Sequence, residues 1–139
     1  MKNIFLLCTF LFFVYSCEKD PGLGGNSSIE GRVMNVTALI NLELTLANGD
    51  GIPVYDTIYF PEVEKDVYII YSDNKEDVYD DDFKTDWAGR YNFESLRQGD
   101  YVIYTYVDSL DYEVPIFRHI TIDNNNSTFN VEDFIMPLN

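Results

Sequence analysis

Thr85-Asp86-Trp87-Ala88-Gly89-Arg90-Tyr91-Asn92-Phe93-Glu94-Ser95-Leu96-Arg97-Gln98-Gly99-Asp100-Tyr101-Val102 is the stretch whose spacing decides the fold. Ala88-Gly89 reads as a tight turn with glycine at positive φ, so Phe83–Trp87 and Arg90–Glu94 read as the arms of a hairpin. Tyr91 and Phe93 are two residues apart and point to one face of a strand. Leu96 is placed to plug the following connection, and Gly99 turns the chain again. Tyr101 then opens Tyr101–Val107, seven residues that are all β-branched or aromatic, the strongest strand signal in the chain.

The same alternation of short β-type runs and turn residues continues in both directions. Ile29, Gly31 and Val33 face one way, against Glu30, Arg32 and Met34. Leu42, Leu44 and Leu46 alternate with Glu43 and Thr45, which predicts a strand, although leucines also suit a helix. Asn48-Gly49-Asp50-Gly51 is a turn. Val54–Phe60 is β-branched and aromatic and stops at Pro61. Val67–Tyr71 is continuously apolar, as in a central strand buried on both faces. Asp73–Asp82 is an acidic loop. Ile116–Ile122, Thr128–Val131 and Phe134–Met136 complete the set. The expectation is an all-β sandwich of about seven to nine strands over residues 29–139.

The pattern T-D-x-x-G-x-Y-x-F-x-x-L-x-x-G-x-Y-x-V in residues 85–102 resembles the carboxypeptidase regulatory-like domains. These are similar to transthyretin-like (prealbumin-like) and Cna-B-type modules, whose fold is a Greek-key β-sandwich. Ile29-x-Gly31-x-Val33 resembles the family's opening strand and Val67–Tyr71 its central strand. The resemblance implies an accessory domain and no peptidase activity. Two features depart from the pattern. Asn35–Asp66 is longer than the usual link and predicts two added strands or a long hairpin. Ile29–Met34 also lacks the lysine that an isopeptide cross-link requires.

The N-terminus reads as an address. Lys2 precedes an apolar run, Ile4–Val14, too short to span a bilayer as a helix and suited to a secretory signal. Val14-Tyr15-Ser16-Cys17 resembles the lipobox of Bacteroidetes-type bacterial lipoproteins, which implies a signal peptide over 1–16 and acylation (palmitate among the acyl groups) at Cys17. Cys17 to Ser28 then reads as a flexible, glycine-rich tether. Glu18-Lys19-Asp20 resembles short surface-export signals of such lipoproteins, so both faces of the outer membrane stay open. Cleavage would remove Cys8, leaving no intramolecular disulfide.

The chain holds 24 acidic and 9 basic side chains, a net charge of −15, which argues against nucleic acid as a partner. With one histidine, His119, and no nucleophile motif, the sequence offers neither an ordinary zinc site nor a Ser–His–Asp arrangement, and no enzyme is expected. No cofactor is expected either. The densest acids, with Asp77, Asp80, Asp82 and Asp86 as candidate ligands, raise Ca²⁺ as a possible ion, against the plainer reading of a solvated loop. Trp87, Tyr104 and Tyr106 are candidates for ligand stacking, against the plainer reading of cross-strand packing. The function expected is a non-catalytic, lipid-anchored cell-envelope accessory or interaction module. The alternative is a glycan-binding surface lipoprotein of a polysaccharide-uptake system, ranked ahead of a Ca²⁺-binding module or a small hydrolase. The partners would be the outer membrane through the lipid, and a glycan or another envelope protein.

Overall fold

The structure, a computed structural model, describes residues 20–109 and 112–137. The expected signal segment, Cys17 and residues 18 and 19 lie outside them. Among the described residues the chain forms β1 (Leu23–Ile40), α1 (Leu42–Asn48), β2 (Tyr55–Pro61), β3 (Asp66–Ile70), β4 (Asp81–Lys84), β5 (Arg90–Leu96), β6 (Gly99–Ser109), β7 (Tyr112–Ile122), β8 (Thr128–Asn130) and β9 (Phe134–Pro137). The protein is an all-β sandwich of two sheets, as the alternation of the sequence predicts.

β1 organises the first sheet. β5 runs antiparallel to its first part, with Ile29 opposite Phe93, and β2 antiparallel to its last part, with Thr37 opposite Ile58. β8 and β9 run parallel to it, with Ile29 opposite Phe129 and Val33 opposite Phe134. The second sheet is antiparallel in the order β4-β3-β6-β7. Inward side chains of both sheets form the core: Ile29, Val33, Tyr91, Phe93, Leu96 and Phe134 from the first, Val67, Ile69, Tyr101, Ile103 and Ile122 from the second. β3 is central and covered on both faces, because Ile70 is buried on the outer side with Val102.

Four sequence expectations change. The tether read into Cys17–Ser28 does not extend that far, because Leu23–Ser28 already belongs to β1. The glycines there serve close packing: a Cβ on Gly25 would collide with the Leu96 carbonyl. The Gly22 N–H donates to the Tyr101 hydroxyl at 2.9 Å, and the Arg97 N–H donates to the Gly22 carbonyl at 2.9 Å. The sandwich therefore starts upstream of the expected Ile29.

Leu42, Leu44 and Leu46 lie on α1, not on a strand. The Asn41 side chain caps the helix by accepting from the Leu44 N–H at 3.0 Å, and Gly49 ends it at φ 66°. Asn35–Asp66 accordingly makes an arm: β1 runs on to Ile40, α1 turns the chain, and β2 returns beside β1. The expected hairpin at Ala88-Gly89 is instead a crossover. β4 pairs with β3 and β5 with β1, so the turn carries the chain from one sheet to the other. Gly89 has the positive φ expected, 71°, and a Cβ there would strike the Val33 carbonyl.

The Tyr101 hydroxyl also donates to the Arg97 carbonyl at 2.9 Å, so it ties the start of β1 to the β5–β6 turn. Tyr101→Phe leaves the Gly22 N–H without its acceptor and should lower unfolding stability by about 1–3 kcal/mol in urea titration. Proteolysis within residues 21–28 should rise with it. Wild-type stability in this variant would mean that the segment is the loose tether after all.

Candidate functional site

The acids suggested for Ca²⁺ do not converge, and no cluster of metal-ligating residues occurs among the described residues. Asp77 accepts from Ser72 Oγ at 2.7 Å and Asn74 Nδ2 at 2.6 Å. Asp80 accepts the Tyr71 N–H at 2.6 Å. Asp86 takes the N–H groups of Ala88 and Arg90 at 2.8 and 2.9 Å and so shapes the crossover turn. Asp82 stands opposite Tyr68 on the edge of the second sheet. Three of the four carboxylates are thus committed to local loop or turn geometry.

The tyrosine candidates fall on the outer face of the second sheet. Tyr68, Tyr104 and Phe117 are opposite one another across β3, β6 and β7. Tyr68 and Tyr104 stack at 5.0 Å between centroids, and Tyr104 and Phe117 lie at 5.2 Å. Tyr106 meets Tyr104 edge-on at 5.7 Å. The acidic loop folds over this row: Tyr79 packs on Tyr68 at 4.8 Å, and the Lys75 ammonium sits 5.7 Å from the centre of Phe117. Tyr104 is buried beneath. These rings mainly pack against one another, which is the plainer of the two readings given above. His119 is exposed on this face, opposite Val102.

Trp87 is elsewhere and 82% exposed on the crossover turn. Its neighbour Asp86 lines a cavity of about 660 Å³ that the sequence did not reveal. The polar side chains around it come mostly from the first sheet. Glu30 of β1 is opposite Asn92 of β5 on one side and Asn130 of β8 on the other. Arg32 is opposite Arg90. Asp133 neutralises Arg32 through a two-point contact, Nη2–Oδ2 2.8 Å and Nε–Oδ1 3.3 Å. No ion pair engages Arg90 among the described residues.

Two buried polar atoms on residues bordering the cavity have no hydrogen-bond partner among the described residues: Asn92 Oδ1 and the Tyr91 hydroxyl. Burial pushes the Tyr91 hydroxyl's pKa far up, so it is a neutral group able both to donate and to accept. The cavity wall therefore carries donors and acceptors in Arg90, Asn92, Asn130 and Glu30, one residue from an exposed indole, while the Tyr91 hydroxyl is held on the core face of β5. The available signal was the polar phase of the alternation, Glu30 and Arg32 between core residues and Asn92 between Tyr91 and Phe93. Which strands bring them together is not written in that phase.

In the tyrosine row, burial, reinforced by the neighbouring Tyr106 and Tyr68, pushes the Tyr104 hydroxyl from 10.0 up to about 12. A raised pKa in the folded state means that the fold favours the neutral phenol. That contribution is complete below pH 10 and is lost as pH rises towards 12. Unfolding stability should fall across this window, and Tyr104→Phe should flatten part of the fall, the other raised tyrosines supplying the rest. An identical pH profile in the variant would contradict this.

No protein-family model matches the chain, and no curated protein sequence matches it. Among solved structures, a candidate carbohydrate-binding protein from Pseudomonas aeruginosa superposes with a TM-score of 0.43 at 12% identity, covering 84% of this chain and 91% of that one. A superposition this loose transfers neither fold nor binding property to this chain.

Proposed function

We propose that the chain is a non-catalytic, lipid-anchored module of a bacterial outer membrane, and that it binds a saccharide in the cavity beside Trp87. The observation that carries the saccharide reading is the set of polar side chains on the cavity wall, Glu30, Arg90, Asn130 and Asn92 with its unsatisfied Oδ1, one residue from an 82% exposed indole. Sugars present hydroxyl groups that donate and accept, and C–H faces that stack on aromatic rings. Asn92, Asn130, Glu30 and Arg90 suit the first requirement and Trp87 the second. The accessory role agrees with the resemblance of residues 85–102 to carboxypeptidase regulatory-like domains.

The anchoring rests on the lipobox-like Val14–Cys17. If Cys17 carries the lipid, only residues 18–20 separate it from Pro21 and the strand that follows. A four-residue step reaches at most about 14 Å. The sandwich would then stand close to the membrane, with the start of β1 nearest to it. Loss of residues 1–16 removes Lys2 and no acid, which makes the side-chain balance 24 acids against 8 bases. That charge opposes contact with anionic headgroups and orients the domain outward.

Trp87 is the sole tryptophan, so its fluorescence reports on this site alone. Titration with oligosaccharides that score on a glycan array should shift or quench its emission. Trp87→Ala and Asn92→Ala should each weaken array binding about tenfold or more, while Tyr106→Phe leaves it unchanged. A silent array would remove the saccharide reading. Separately, Cys17→Ala should move the protein from the membrane to the soluble fraction of its native host. Retention in the membrane would remove the anchoring.

A further inference from the structure

The geometry points to β2 as a dimerisation edge, paired with the β2 of a second copy of this chain. The strand pairs only with β1 among the described residues, and every residue of it except Phe60 is exposed. Natural edge strands carry lysines, bulges or covers that block further pairing. Tyr55-Asp56-Thr57-Ile58-Tyr59-Phe60 has no lysine, glycine or proline, and its pairing with β1 is in continuous register. Its unpaired backbone groups can accept another strand.

Charge selects the partner's orientation. An antiparallel pairing centred on Ile58 sets Ile58 against its own copy, Thr57 against Tyr59 and Asp56 against Phe60. The one charged side chain of the strand never faces itself. Residues 37–60 contain no lysine or arginine and three acids, Glu43, Asp50 and Asp56, so the arm is the sparsely charged part of a strongly acidic chain. Its net charge of −3 over 24 residues is no lower in density than the −15 over 139 of the whole chain, so two copies meet here against like charge that salt screens.

Half of the exposed large apolar side chains among the described residues lie on this arm. Tyr55 and Tyr59 are 58% and 56% exposed, and the leucines of α1 contribute no buried residue to their own sandwich. Leu39, Ile40, Ile52 and Ile58 bring these large apolar side chains to nine, spread over the arm with Ile40, Tyr55 and Tyr59 on one face and Leu39 and Ile58 on the other, so pairing of β2 edges covers their flanks along the added strand. A bilayer is the wrong occupant. The arm lies at the far end of the eighteen-residue β1 from Leu23. That is on the order of 55 Å at about 3.3 Å per residue, directed away from the proposed anchor.

The full chain, purified in detergent, should sediment as a dimer at micromolar concentration. Association should tighten as salt screens the acids. Ile58→Cys should form a disulfide-linked dimer under mild oxidation, because residues opposite one another in an antiparallel pair fall within disulfide range. Val78→Cys, exposed on a different loop, serves as the control for random collision. Tyr59→Lys should weaken association about tenfold or more without altering circular dichroism or the thermal transition. A monomer at all concentrations, or cross-linking of Ile58→Cys no faster than of Val78→Cys, would overturn the proposal. Association that survives Tyr59→Lys would do the same.

Discussion

The structure depends on the hydrogen bonding of one long strand. β1 is eighteen residues long, and every other strand of the first sheet pairs with it: β5 and β2 antiparallel, β8 and β9 parallel. Its length sets three things at once. Its start ties the N-terminal segment into the sandwich through Gly22, Tyr101 and Arg97. Its middle carries Ile29 and Val33 into the core and Glu30 and Arg32 towards the cavity. Its end leaves the sandwich and, with α1 and β2, forms the apolar arm.

The motif of residues 85–102 was legible in the sequence because its constraints are local. Tyr91, Phe93, Leu96 and Tyr101 are buried as their spacing predicts, and Gly89 takes the positive φ that the turn needs. Thr85, whose place in the motif spacing does not explain, is buried and donates to the Glu62 carbonyl at 2.6 Å while accepting the Lys65 N–H at 2.9 Å. Its hydroxyl holds the turn that leads from β2 to β3. The same spacing misled at Ala88-Gly89, because a tight turn looks alike whether its arms pair or diverge to two sheets. The arms are joined at the turn itself, where the Asp86 N–H donates to the Arg90 carbonyl at 3.0 Å, and part beyond it, where the Thr85 N–H donates to the Lys65 carbonyl at 2.9 Å while Arg90 pairs with Arg32.

The misreadings elsewhere share a physical origin. A glycine-rich run reads as flexible, yet Gly25 is small because the Leu96 carbonyl lies against it. Alternating leucines satisfy period two and helical spacing alike, and Asn41 and Gly49 decide between them by capping. Acids dense in sequence suggested a cation site, but side-chain acceptors in loops are consumed by neighbouring N–H and hydroxyl groups. The candidate cavity was the least legible part. Its residues lie at 30–32, 90–92 and 130–133, and only the pairing of β5 and β8 on either side of β1 brings them together. Tyr68, Tyr79, Tyr104 and Tyr106, conspicuous in the sequence, cover one another.

On this account the recognition surface is the cavity beside Trp87, and the tyrosine face is a second small core. Hydrogen–deuterium exchange of the full chain, with and without a saccharide ligand, separates the two most directly. The account predicts new protection over residues 30–32 and 86–92, with residues 102–106 unchanged. Protection confined to Tyr104, Tyr106 and the strands around them would contradict it and would make the tyrosine face the binding site.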